Sequence, residues 1–157
     1  MASDIVTLDI EYYVDTERDA RIEAAARWVA HKYDLTSLTV SVSIVDDPTI
    51  RELNAEQLGH DWATDVVSFV IERTGDDVDG EVVASWDTAS RLAAKAGWTP
   101  ENELLLYVVH GMLHVAGLDD IEDDDRREMR EAEQECLLSL GIEDARQLPQ
   151  RWNSVSY

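Results

Sequence analysis

The chain has 157 residues and carries 34 acidic against 13 basic side chains, a formal net charge of −21. That length fits one domain, residues 1–157, and leaves little room for two large ones. With 45% hydrophobic residues, 5 Trp and 5 Tyr, a disordered acidic polymer is excluded.

The charge also excludes a broad cationic platform for nucleic acid, because such proteins neutralise phosphates with clustered Lys and Arg. Nucleic-acid binding here would need a local basic groove or a bound metal ion. A solvated surface and a high-salt interior are the other readings of the acidic excess. The lone cysteine, Cys136, excludes an internal disulfide framework and fits a reducing compartment. The opening MASDIVTLDIEYY lacks a basic segment ahead of an apolar stretch, so no signal peptide is expected. The run from Leu104 to Val109 is too short to span a membrane. A cytoplasmic protein with no membrane partner is expected.

In chain order, Val6, Leu8, Ile10 and Tyr12 fall in phase and predict a strand over 4–13. Asp15 or Thr16 can cap a helix over 17–33, where Ile22, Ala25, Ala26 and Val29 recur at helical spacing. The stretch 39–47 alternates Val40, Val42 and Ile44 against Thr39, Ser41 and Ser43, a second strand. Asp47 and Pro48 open a short helix with Leu53 and Leu58 on its apolar side. A loop, GHDWATD, follows, and Val66 to Ile71 reads as a short strand. The polar stretch ERTGDDVDG, 72–80, predicts a loop, and Glu81 to Trp86 a further strand. Their short link allows an antiparallel hairpin at a sheet edge.

Ala89, Leu92, Ala93 and Ala96 predict a helix over 87–96, closed by Gly97. Pro100 opens the next helix, which carries LLLYVV and ends near Val115, before Gly117. An acidic loop then leads into a helix with Asp123 to Asp125 at its favourable end and Met129, Ala132, Cys136 and Leu140 along one face. Gly141 stops it, and the tail, 142–157, shows little predictable structure. The order predicts an α+β fold of mixed α/β layers, a small mixed sheet packed by helices, rather than a purely parallel doubly wound sheet.

The most informative string is HGMLHVAGLDD, residues 110–120. His110 and His114 stand four apart on a predicted helix, so both imidazoles share one face. Two such donors can share one zinc ion. Gly117 lets the chain turn, and Asp120 can return to offer an oxygen, leaving a position for water. The alternative is that the two imidazoles cover a partly buried helix face and donate to backbone carbonyls. A zinc peptidase would place a glutamate after the first histidine as general base, but Gly111 stands there. That argues against peptide hydrolysis.

This string resembles the pattern HGxLHLxGxDH of the YbeY family of endoribonucleases, the rRNA maturation factors. The family's first two metal histidines fall on His110 and His114. The third falls on Asp120, a carboxylate for an imidazole, and a harder oxygen donor there can admit another divalent metal. Asp119 matches the aspartate before the third ligand. Upstream, residues 52–69 resemble the family segment ELNxxYRxxDxPTDVLSF and keep the core Thr64, Asp65, Val66, Ser68 and Phe69. The family arginine falls on Leu58, the aromatic before it on Gln57, and the proline on Ala63. Residues 80–85 resemble the family strand GDIxIS.

The resemblance implies a mixed sheet with the metal helix beside a cleft, and a metal-dependent, single-strand-specific endoribonuclease acting in rRNA maturation and ribosome quality control. It implies one Zn²⁺ per chain on His110, His114 and Asp120, with His110, His114 and Asp119 as the catalytic group. The implied partners are single-stranded or ribosomal RNA and the ribosome or its small subunit, with no DNA. Leu58 removes a cation that would clamp a phosphate. Arg51, Arg73, Arg91 or His60 are the candidates to compensate, with ordinary surface charge as the alternative for each. Asp61 and Asp65 can orient a histidine or cap a loop, and Ser68 can touch substrate or pack. Two rival functions are a non-catalytic ribosome-associated binding factor and a zinc hydrolase with a non-RNA substrate.

Overall fold

The computed structural model describes residues 5–11, 16–58 and 66–151. Its elements run β1 (Val6–Glu11), α1 (Thr16–Lys32), β2 (Ser37–Val45), α2 (Asp47–Leu58), β3 (Val66–Thr74), β4 (Asp77–Ser85), α3 (Trp86–Ala96), α4 (Pro100–Ala116), α5 (Asp123–Ser139) and a 3₁₀ helix (Glu143–Arg151). The four strands order as β1-β2-β4-β3. β1 and β4 both run parallel to β2, while β3 pairs antiparallel with β4 at the edge. The mixed sheet and its antiparallel hairpin are as the sequence predicts.

The stretch 72–80 is not a loop. β3 continues to Thr74 and β4 begins at Asp77, so Gly75 and Asp76 alone make the turn, with Gly75 at φ 62°. The polar side chains there face solvent: β3 is exposed from Val70 onward. Exposure on an edge hairpin, rather than loop structure, explains that composition. The register shifts between Val70 and Glu72. The tail differs as well. Residues 143–151 form the 3₁₀ helix, and Ile142, Ala145 and Leu148 are buried at its three-residue spacing. Residues 152–157 lie outside the described residues, as do 1–4, 12–15 and 59–65.

Strand alternation divides the core in two. Leu38, Val40, Val42 and Ile44 of β2, with Val78, Val82 and Ala84 of β4, face the larger cluster built with α1, α4 and α5. Val45, Val67 and Val83 face the opposite way, toward Ile50 and Leu53 of α2. α4 is buried on nearly every side, from Glu103 to Met112, because it lies between the sheet and helices α1, α3 and α5. A helix apolar all round is the sequence form of that position.

Two glycines set how closely α4 approaches β4. A Cβ at Gly111 would meet Val82 Cγ1 at 2.6 Å, and one at Gly80 would meet Val115 Cγ1 at 2.5 Å. The position that a zinc peptidase fills with glutamate therefore faces the sheet, where a side chain would force Val82 to shift. Caps mark the ends: Ser85 accepts from Thr88 N at the start of α3, and Thr99 accepts from Asn102 N at the start of α4.

Candidate metal centre

α4 carries His110 and His114 to its C-terminal end, and the chain leaves the helix at Gly117, φ 114°. A side chain is disfavoured there by the backbone, and its Cβ would also lie 3.0 Å from Arg73 Nη1. That guanidinium is in use: Arg73 Nη1 donates to Ala116 O at 2.9 Å and Nε to Gly75 O at 3.1 Å, tying the hairpin turn to the end of α4. Beyond Gly117 the chain folds back. Asp119 Oδ1 accepts from Asp120 N at 2.8 Å. Arg126 of α5 donates to Asp120 O at 3.2 Å and to Ile121 O at 2.9 Å. These bonds fix the backbone that presents Asp120.

Three side-chain atoms then converge. His110 Nε2 and His114 Nε2 are 3.1 Å apart, and each lies 3.4 Å from Asp120 Oδ2. The rings stand nearly perpendicular, at 83°. Ligands at about 2.0–2.1 Å from a tetrahedral zinc lie roughly 3.3 Å from one another. The triangle has that size.

The other ring nitrogens decide what the triangle can hold. His114 Nδ1 lies 3.0 Å from Leu118 O, and a carbonyl only accepts, so the proton sits on Nδ1. His110 Nδ1 lies 2.6 Å from Glu133 Oε2, another acceptor when ionised. Neutral imidazoles so bonded present bare Nε2 lone pairs to each other and to a carboxylate. Such a set fits a cation. With both rings protonated, the hydrogen bond from His110 first and then both imidazolium charges hold Asp120 at about 2 as an acid against burial; in the Nδ1–H tautomers a cation in the triangle would take over that part. Asp120 is ionised at neutral pH. Exposure rises across the cluster, from 8% for the His110 side chain to 27% for His114 and 32% for Asp120, so the open side faces solvent.

His110, His114 and Asp120 are thus brought together. Asp119 is exposed and acts on the loop backbone. Glu133 is the residue that sequence reasoning missed. It is wholly buried on α5, beside Met129, Ala132 and Cys136 on the apolar face. A lone acid inside an apolar stripe was the signal.

The described upstream candidates make other contacts. Arg91 pairs with Asp47 and donates to Thr88 Oγ1 at 3.3 Å, so it serves a junction of α2 with α3. Arg51 is exposed on α2, and Ser68 is half-buried on β3, paired with Val82. The side chains of Gln57 and Leu58, and all of His60, Asp61, Ala63 and Asp65, lie outside the described residues. Cys136 is buried and its thiol is pushed up to about 12, first by burial and then by the charge of Glu135, which leaves it inert.

Comparison with known proteins gives a consistent picture. A family model described as Endoribonuclease YbeY matches residues 9–141. The Endoribonuclease YbeY of Rhodopirellula baltica is 47% identical over 107 residues, 67% of this chain and 55% of that protein. The chain thus matches about half the length of that relative. The Endoribonuclease YbeY of Desulforamulus reducens is 40% identical over 111 residues, 66% of this chain and 72% of that one. Among solved structures, TM1509 from Thermotoga maritima superposes with a TM-score of 0.61 at 27% identity, covering 95% of this chain and 93% of that one.

Proposed function

The chain belongs to the YbeY endoribonuclease family, and from that membership we propose that it is a metal-dependent endoribonuclease cleaving single-stranded RNA in rRNA maturation. The observation that carries the reading is the triangle of His110 Nε2, His114 Nε2 and Asp120 Oδ2, with both Nδ1 atoms already engaged by acceptors. His110, His114 and Asp120 would hold one divalent ion, with zinc the best fit to two nitrogens and one oxygen at this spacing. When bound, the ion supplies a Lewis acid for a phosphoryl oxygen and lowers the pKa of water at its open position.

The chain's own residues do the rest. The α4 helix and the Arg126-held loop fix the three ligands before substrate arrives, so little reorganisation is left for the reaction. Gly111 faces the sheet, so position 111 supplies no general-base carboxylate to the histidines. Asp119, exposed beside the third ligand, is the proposed proton-handling group. The acidic surface repels RNA at long range, and the divalent site provides the local positive centre for the scissile phosphate.

We place the protein in the cytoplasm as a single domain, acting at the ribosome or its small subunit. No helix among the described residues is long and apolar enough to cross a membrane. The test is cleavage of single-stranded and duplex RNA by zinc-loaded, chelated and His114→Ala protein. Single-strand cleavage that is lost in the last two supports the reading. Zinc binding without any RNA cleavage would instead mark a ribosome-associated binding factor, and turnover of another substrate class a different hydrolase.

A further inference from the structure

Glu133 is an ionisable side chain with no exposure at all, set on the apolar face of α5. A carboxylate in such a place is costly unless it is matched by a hydrogen-bonded partner. Its Oε2 lies 2.6 Å from His110 Nδ1, on the ring edge opposite the one that points at Asp120 and His114. We propose that Glu133 is a positioning residue of the metal centre, holding the His110 proton on Nδ1 so that Nε2 stays bare and aimed at the ion; this rests on the metal reading above.

A neutral imidazole carries one ring proton and has two tautomers. Only the Nδ1–H form leaves Nε2 free to ligate. For His114 a neutral carbonyl, Leu118 O, selects that form at a half-exposed site. For His110 the selecting group is a carboxylate in a dry one, where a charge-assisted bond is stronger and more directional. A carboxylate at this position also raises the basicity of the ligating nitrogen. Because Glu133 comes from α5 and the histidines from α4, the packing of these two helices becomes part of the metal site.

A merely structural His110–Glu133 pair makes different predictions. The experiment uses the full chain and two variants, Glu133→Gln and Glu133→Asp, with Zn²⁺ alone as the probe. Zinc affinity is read by chelator competition, and the His110 tautomer by imidazole ¹⁵N shifts in the zinc-free chain. We expect the parent to show Nδ1–H at His110. Glu133→Gln should bind zinc about 10- to 100-fold more weakly, with a mixed His110 tautomer and a circular dichroism spectrum like the parent's. Glu133→Asp should recover part of the affinity. Parent-like zinc affinity in Glu133→Gln would overturn the proposal, as would an Nε2–H tautomer in the parent, a result that requires no variant to fold. A parent that binds no zinc would overturn the metal reading and this proposal together, an outcome distinct from either.

Discussion

Asp119 and Asp120 are neighbours with different jobs, and that difference is measurable. Asp120 puts Oδ2 within 3.4 Å of both imidazoles, whereas Asp119 accepts the Asp120 amide. Asp120→Ala should therefore lose bound metal more completely than Asp119→Ala, as read by metal analysis after gel filtration. The reverse order would reassign the third ligand. The histidine pair was legible because a spacing of four fixes two side chains on one helix face whatever surrounds them. Asp120 was legible through Gly117, which announced the turn. Glu133 was missed, because the expected place for a glutamate is water and only its place in the Met129–Ala132–Cys136 stripe signalled otherwise. Leu58 stands where the family arginine would, and its chemistry was plain from the residue type alone.

At the scale of elements, α4 read clearly, since Pro100 opens it, Gly117 closes it, and the stretch from 100 to about 115 is too long for a strand. Its distance from β4 did not. Gly111→Ala would gain roughly 1 kcal/mol in helix propensity. The new methyl would meet Val82, itself wholly buried, at 2.6 Å. Overpacking costs about 1–3 kcal/mol, so a net loss of stability of about 1 kcal/mol is expected in denaturant unfolding of the metal-free chain. Unchanged or raised stability would show that the sheet yields.

A second junction joins α2, β4 and α3 through Asp47. Ser85 Oγ donates to it at 2.6 Å and Thr88 Oγ1 at 2.7 Å, and Arg91 pairs with it. Burial opposes ionisation of Asp47, but these hydrogen bonds and the Arg91 charge outweigh it and lower its pKa. A lowered folded-state pKa means stability that is present at neutral pH and lost as pH falls through the folded pKa. Asp47→Asn should cost about 1 kcal/mol at pH 7, Arg91 being solvent-screened. The gap from the parent should close in acid below about pH 4. A gap independent of pH would contradict the charge argument. The outer part of the β3–β4 hairpin, read as a loop over 72–80, and the 3₁₀ helix were hidden for opposite reasons. The hairpin is polar because it is exposed, and the 3₁₀ helix is ordered by docking Ile142, Ala145 and Leu148 rather than by local preference.

For the whole molecule, a net charge of −21 sets the terms of any encounter with RNA. Arg73 and Arg91 are both engaged in bonds within the chain, so the family arginine's role is tested most directly at position 58. Leu58→Arg should then tighten single-stranded RNA binding at low salt and steepen its log–log salt dependence by about 0.7 for one added phosphate contact. No gain at low salt would show that charge at position 58 is not the missing element. Metal binding should also register in the fold as a whole, because the site joins α4, the 117–122 loop and α5, and an ion bound only by the folded chain raises its stability by mass action. The central claim is that His110, His114 and Asp120 form one metal site. Its most direct test is the amount of zinc retained per chain by the parent and by His114→Ala, purified in metal-replete, chelator-free buffer. One equivalent in the parent and none in the variant is the predicted result; a metal-free parent, or a variant that keeps its zinc, would contradict the account.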